Sequence, residues 1–184
     1  MHVIGVFGYI GCGKDTVAAC LESKYGYKNY SYGDLVRETS LRLGRTLERH
    51  DLQKTRLDCD SKHGKEYFPN MIVEHIVADN CKKAIISGIR NPEDAIVPKK
   101  HFGKEMLLIF VDVETKKRYE RLKKRGSDRD PSSFSAFAQQ EKREKQVFDF
   151  EGTKKLCDVT IKNNTSVKQL QKQIDKIMTK YNLV

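Results

Sequence analysis

Short apolar runs alternate along this chain with longer stretches whose apolar residues recur at helical spacing. Residues 2–7 (His-Val-Ile-Gly-Val-Phe) read as a buried strand, followed by glycine-rich punctuation and a helix over about 14–24. Residues 27–31 predict a short second strand, and 33–48 a helix, with a polar segment from there to about 64. Phe68, Ile72, Val73, Ile76 and Val77 recur at helical spacing, with Pro69 tolerable in the first turn. Residues 84–87 make a short strand candidate, and 106–113 the strongest strand after the first. A basic helix is predicted over 115–125. Another starts at Asp130-Pro131, the carboxylate as N-cap and proline at N1. Residues 159–161 predict the last strand. The terminal helix opens on Ser166 and Gln169, the spacing of a capping box, with an apolar stripe of Val167, Leu170, Ile174, Ile177 and Tyr181.

Strands alternating with helices predict an α/β protein with a mainly parallel sheet. Ligands of such sheets bind at the carboxyl ends of the strands. Attention therefore falls on Gly8 onward, Ser31 to Arg37, Ser87 to Asn91, and Asp112 onward. No internal repeat, proline-rich linker or low-complexity tract interrupts the 184 residues, so residues 1–184 are read as one domain.

Composition narrows the class. With 38% hydrophobic residues, 8 Phe and 8 Tyr, the chain can build a core, which excludes a fully disordered protein. The longest aliphatic or aromatic run, residues 106–111, is too short for a bilayer span. The first residues lack the features of a signal peptide, so a soluble, cytoplasmic protein is expected. The five cysteines form no C-x-x-C pair and the five histidines show no ligand spacing, which argues against a disulfide framework or a structural metal. A net charge of +10 suits anionic partners such as nucleotides, nucleic acid or phosphorylated metabolites.

The chemistry is concentrated in Gly8-Tyr9-Ile10-Gly11-Cys12-Gly13-Lys14-Asp15-Thr16, which fits G-x-x-x-x-G-K between a strand and a helix. Gly8, Gly11, Cys12 and Gly13 would curl the backbone so that its N–H groups face phosphate oxygens. The helix N-terminus adds partial positive charge, and Lys14 reaches the β- and γ-phosphates of ATP. Asp15 stands where a hydroxyl usually binds magnesium. Asp15 or Thr16 is therefore the candidate Mg²⁺ ligand. No N-K-x-D is present to read guanine, which excludes the common GTPases. Asp112 and Glu114 after an apolar strand admit a motor-type ATPase as a lesser alternative.

Three further stretches carry a resemblance. Gly33-Asp34-Leu35-Val36-Arg37 resembles the acceptor segment of adenylate kinases, which implies that Arg37 holds an acceptor phosphate. Ser87-Gly88-Ile89-Arg90 resembles the Asp-Gly-x-Pro-Arg segment of nucleoside monophosphate kinases, with Arg90 matching and Ser87 replacing the acid. Residues 116–143 (Arg118, Arg121, Lys124, Arg125, Arg129 and Arg143 among them) resemble a nucleotide-kinase lid, and Arg121, Arg125 and Arg143 are the candidate lid arginines. Residues 157–164 and the terminal helix resemble the ending of dephospho-coenzyme A kinases, which implies that Asn163 lies near the ATP adenine.

The chain thus resembles the nucleoside monophosphate kinase-like P-loop kinases. The resemblance implies a P-loop NTPase fold: a five-stranded parallel sheet flanked by helices, an acceptor-binding segment over about 34–80 and a lid over about 118–143. It implies transfer of the γ-phosphate of ATP, with Mg²⁺, to a nucleoside or deoxynucleoside monophosphate. The Gly-Lys-Asp-Thr of the loop is similar to that of phage-type deoxynucleoside monophosphate kinases. The alternatives are dephospho-coenzyme A kinase, where Asp34 would be the base for a hydroxyl acceptor, and an ATP-binding, adenylate kinase-like factor of RNA or ribosome assembly. In that last reading the basic stretch would meet phosphate backbone and Tyr119, Phe134 and Phe137 would stack on bases. A small phosphorylated acceptor is favoured over nucleic acid as partner, no membrane is expected, and monomer and dimer remain open.

Overall fold

The computed structural model describes residues 1–127 and 130–184, so Arg129 lies outside the described residues. Its centre is a five-stranded, all-parallel sheet of strands β1 (His2–Phe7), β2 (Lys28–Ser31), β3 (Lys83–Ser87), β4 (Met106–Asp112) and β5 (Val159–Lys162), in spatial order β2-β3-β1-β4-β5. The register sets Ser31 and Val6 level with Ser87 and Phe7 level with Phe110, so the carboxyl ends of β2, β3 and β1 lie side by side.

Alternation along the strands builds two cores. Ile4, Val6, Leu107, Ile109 and Val111 face one side, under α1 (Lys14–Tyr25) and the terminal helix α9 (Val167–Lys180). Val3, Phe7, Ala84, Ile86, Leu108 and Phe110 face the other. They pack there with α2 (Tyr32–Arg42), α3 (Arg49–His63), α4 (Tyr67–Ala78) and α5 (Pro92–Phe102). Both faces being covered explains why the central strands are continuous apolar runs. The helices α6 (Thr115–Arg125), α7 (Phe134–Val147) and α8 (Phe150–Lys154) complete the end of the sheet where the strands terminate. Among the described residues no helix is long and apolar enough to cross a membrane, and none of the five cysteines is in a disulfide.

Several boundaries differ from the expectation. The helix predicted over 33–48 ends at Arg42. The polar segment that follows folds as the fifteen-residue α3, whose buried residues are Thr55, Arg56 and Cys59. Apolar spacing does not reveal a helix whose inner stripe is polar. The helix α5, between the third and fourth strands, carries two prolines, one of them inside the helix, which mask it in the sequence. Pro92 sits in its first turn and Asp94 Oδ2 accepts the Asn91 N–H at 3.1 Å. The helix expected at Asp130-Pro131 begins at Phe134 instead, capped by Ser133 Oγ accepting the Ala136 N–H at 3.1 Å. Asp130 is drawn away into an ion pair with Arg125. Ser166 does cap α9, its Oγ accepting from the Gln169 N–H at 3.3 Å, although Val167 at the start of the predicted stripe is exposed.

Candidate active site

A cleft of about 480 Å³ opens over the carboxyl ends of β1, β2 and β3. One wall is the loop between β1 and α1. Gly13, left-handed at φ 91°, ends this loop as the N-cap of α1. No side chain caps that helix, so its first-turn amides are left for an anion where Gly11, Lys14 and Asp15 line the cleft. Gly8 is required by close approach, because a Cβ there would stand 2.5 Å from the Val111 carbonyl oxygen.

The loop is braced from behind. Asn163, after β5, is buried and donates from Nδ2 to the Cys12 carbonyl at 2.9 Å. Arg121 donates to the same carbonyl at 3.4 Å and to the Asn163 carbonyl at 2.7 Å. Arg118 is buried between Tyr9 and Phe137, donating to the Ile10 carbonyl at 3.3 Å and to Glu141 at 2.5 Å. Cys12 serves through its backbone, since burial of its thiol pushes its pKa up and keeps it neutral.

The opposite wall comes from the ends of β2 and β3 and from α3. Arg90, after β3, presents its guanidinium to the cleft, 4.7 Å from the centre of the Phe148 ring. Among the described residues it has no hydrogen-bonded partner for that side chain. Its side chain is exposed to the open cleft and is a cation at neutral pH. Arg56 is buried against Asp60 (2.9 Å) and Asp94 (2.7 Å). Arg49 bonds Glu144 of α7, and Arg125 bonds Asp130, whose pKa this pairing lowers. Arg37 lines the mouth but is paired with Asp34.

Of the residues singled out in the sequence, Gly8, Gly11, Lys14, Asp15, Arg37, Arg90 and Arg125 line this cleft. Cys12, Gly13, Arg121 and Asn163 make and brace the loop. The structure does not bring Asp34, Thr16 or Arg143 to the cleft. Asp34 is exposed and opens on a separate, smaller pocket with Glu38 and His75. Thr16 and Arg143 face solvent. Asp112, the motor-type candidate, is also outside the lining. Sequence reasoning missed Arg49, Arg56 and Glu144. A signal existed for the first two: Arg49, Leu52, Gln53 and Arg56, spaced i, i+3, i+4 and i+7, form the stripe of α3 that faces the cleft.

A magnesium ion fits the donor set. Asp15 offers one carboxylate at the loop, beside Lys14 at 3.4 Å, and Ser87 a hydroxyl at the end of β3. Magnesium commonly takes one or two carboxylates and completes its shell with phosphates and water. Among the described residues there is no cluster of three or more His, Cys, Asp or Glu that could hold a metal.

Comparison with known proteins places this geometry. The family described as AAA domain matches residues 7–137. A UPF0200 protein of Pyrobaculum aerophilum is 32% identical over 179 residues, 97% of each chain, and one of Thermococcus kodakarensis is 26% identical over 96% of each. Among solved structures, an uncharacterized protein from Eubacterium ventriosum superposes with a TM-score of 0.64 at 18% identity, covering 97% of this chain and 98% of that one. The shikimate kinase of Acinetobacter baumannii, in complex with shikimate, superposes with a TM-score of 0.60 at 14% identity, covering 100% and 96%. At such identities the structural likeness carries the P-loop kinase fold alone. With a loop of this geometry at the end of β1, a match over most of its length and a near full-length relative, the chain belongs to the AAA domain family of P-loop kinase-like proteins and is one of the UPF0200 proteins.

Proposed function

We propose that the protein transfers the γ-phosphate of ATP to a nucleoside or deoxynucleoside monophosphate. The observation that carries the reading is Arg90. A guanidinium without a hydrogen-bonded partner among the described residues shares one cleft with Lys14 and the phosphate loop, and it is suited to a dianionic acceptor phosphate. The cleft volume is in the range of small-ligand sites, and Val36, Leu47, Leu52, Phe148 and Phe150 supply apolar surface for a base.

In this reading Lys14 and the amides of the loop hold the donor phosphates, and Arg90 and Arg37 hold the acceptor in line with them. Magnesium, when bound beside Asp15, neutralises charge on the donor phosphates. Arg125 serves the developing charge by exchanging Asp130 for phosphate oxygens, a swap between two anions at one guanidinium.

Among the described residues the carboxylates nearest the cleft are already engaged, which favours a phosphate acceptor over a hydroxyl. Asp130, Glu144 and Asp34 are each bound to an arginine, and Asp15 stands on the donor side. An already ionised phosphate needs no proton removed. The substitution Asp34→Asn is accordingly expected to change kcat less than about threefold, with no new pH dependence, because a general base is worth about 10²-fold or more. A large, pH-dependent loss in this variant would restore the hydroxyl-acceptor reading. The RNA-factor reading draws less support: Tyr119 packs edge-on against Phe134 (5.3 Å) and close to Phe137 (5.7 Å), and Arg118 is buried in the loop brace.

The test is ADP production from Mg-ATP against each ribo- and deoxyribonucleoside monophosphate, then dephospho-coenzyme A and shikimate. Stimulation by one monophosphate is expected. Stimulation by a hydroxyl acceptor alone, or by none of the panel, would overturn the proposal.

A further inference from the structure

Asp94 has no contact with the cleft and is completely buried, yet three pieces of the acceptor wall hang on it. Its Oδ1 accepts from Arg56 Nη2 of α3 at 2.7 Å. Its Oδ2 accepts the backbone N–H groups of Arg90 at 2.9 Å and Asn91 at 3.1 Å, which fixes the turn that carries the Arg90 side chain. Its carbonyl accepts from the Tyr32 hydroxyl at 2.8 Å, at the start of α2, one turn before Arg37. That carbonyl is open to Tyr32 because the residue four positions on is Pro98, which has no N–H to close the helical bond. Asp60, the other carboxylate on Arg56, belongs to α3 itself and ties it to nothing else in the wall.

A buried ion pair is weak evidence for stability as such, so what Asp94 holds in place matters more than the energy of the pair. Here the two oxygens divide their work. One holds the side chain of a cleft arginine and the other holds the backbone of the second. One carboxylate therefore fixes both the Arg56 guanidinium and the backbone turn that carries Arg90, and so the spacing from which the two side chains reach the cleft. A single anion that is to be gripped by both requires that spacing.

We infer that Asp94 is a positioning residue that spaces Arg56 and Arg90 as a two-arginine clamp for the acceptor's anionic group. The inference rests on the acceptor reading above, so its test includes an arm that needs no turnover. Protein saturated with ADP, which fills the phosphate loop, is titrated with inorganic phosphate by calorimetry. Asp94→Asn keeps the shape but removes the charge and one acceptor geometry. It is expected to weaken phosphate about fivefold to tenfold, as loss of a buried charged hydrogen bond does, while ADP affinity changes less than about twofold. Asp94→Glu keeps the charge but lengthens the arm, and it is expected to fall between the two. Asp60→Asn removes the other carboxylate from Arg56 without touching Arg90, and its effect is expected to be the smallest of the three.

With the acceptor found by the panel, Asp94→Asn should raise the KM for that acceptor about tenfold, with the KM for ATP unchanged and kcat falling far less. Phosphate affinity equal to wild type in a folded Asp94→Asn protein would overturn the inference. So would a wild type that does not bind phosphate, or a proportional change in kcat and both KM values. If Asp94→Asn does not fold, Asp94→Glu decides by the same comparison. A panel without any active acceptor, together with a phosphate loss in these variants, would sink the monophosphate-kinase reading and leave the clamp standing.

Discussion

Lys14→Ala is expected to lower kcat about 10²- to 10³-fold, the usual consequence of removing one preorganised charge from a site where negative charge develops. The argument is geometric. Lys14 is the first residue of α1, directly after the left-handed Gly13, and its ammonium faces the cleft beside Asp15. Among the described residues the nearby arginines are engaged elsewhere: Arg121 and Arg118 on the Cys12 and Ile10 carbonyls behind the loop, and Arg125 on Asp130. The backbone amides remain in the variant, so ATP should still bind, weakened by less than the rate. Thermal unfolding should be close to wild type, since Lys14 makes only a long contact at 3.4 Å with an exposed carboxylate. Steady-state kinetics with the acceptor found by the panel, alongside ATP titration and a melting curve, separates these terms. A kcat within threefold of wild type would mean that the loop binds nucleotide for a purpose other than transfer.

Arg90→Ala is expected to reduce kcat/KM for the acceptor about 10- to 100-fold with the KM for ATP unchanged, the range of losing a charge-assisted, two-pronged phosphate contact. The residue is the cleft cation without a hydrogen-bonded partner among the described residues, so its loss frees no carboxylate and exposes no buried charge. Its main protein contact is the face of Phe148, worth at most about 1–2 kcal/mol. Arg90→Lys keeps the charge but has no planar fork, and should recover only part of the activity. Equal losses toward ATP and acceptor would place Arg90 on the donor side instead. A variant that loses stability rather than affinity would show that the stacking on Phe148 is its main work.

These two residues differ in how they could be found. The loop announces itself: Gly8, Gly11, Gly13 and Lys14 lie within seven positions, between a strand and a helix that both form where their apolar spacing predicts. Arg37 and Arg90 were legible because each follows a strand end by a few residues, and a parallel sheet brings its strand ends together. Asp34 shows the limit of that logic. It lies three residues from Arg37 on the same face of the same helix and is spent on that arginine, so the short carboxylate stops at a smaller pocket while the longer guanidinium reaches the mouth of the cleft. Arg143 shows another: on a basic helix the buried residue of the neighbouring pair is Glu144, and only packing selects which of the two turns inward.

What the sequence by itself determined about this protein is the part encoded locally. The alternation of buried strands and helices specifies a parallel α/β sheet, the glycines and Lys14 specify a phosphate loop at the end of the first strand, and the strand ends carry Arg37 and Arg90 to one cleft. Tertiary structure alone decided which charges meet. Arg49 reaches Glu144 across 95 positions, Asn163 reaches Cys12 across 151, and Asp94 holds Arg56 across 38. None of these pairings follows from spacing or propensity. Each exists because burial makes an unpaired polar group expensive, so that the fold, once closed, selects for every buried charge the partner it brings within reach.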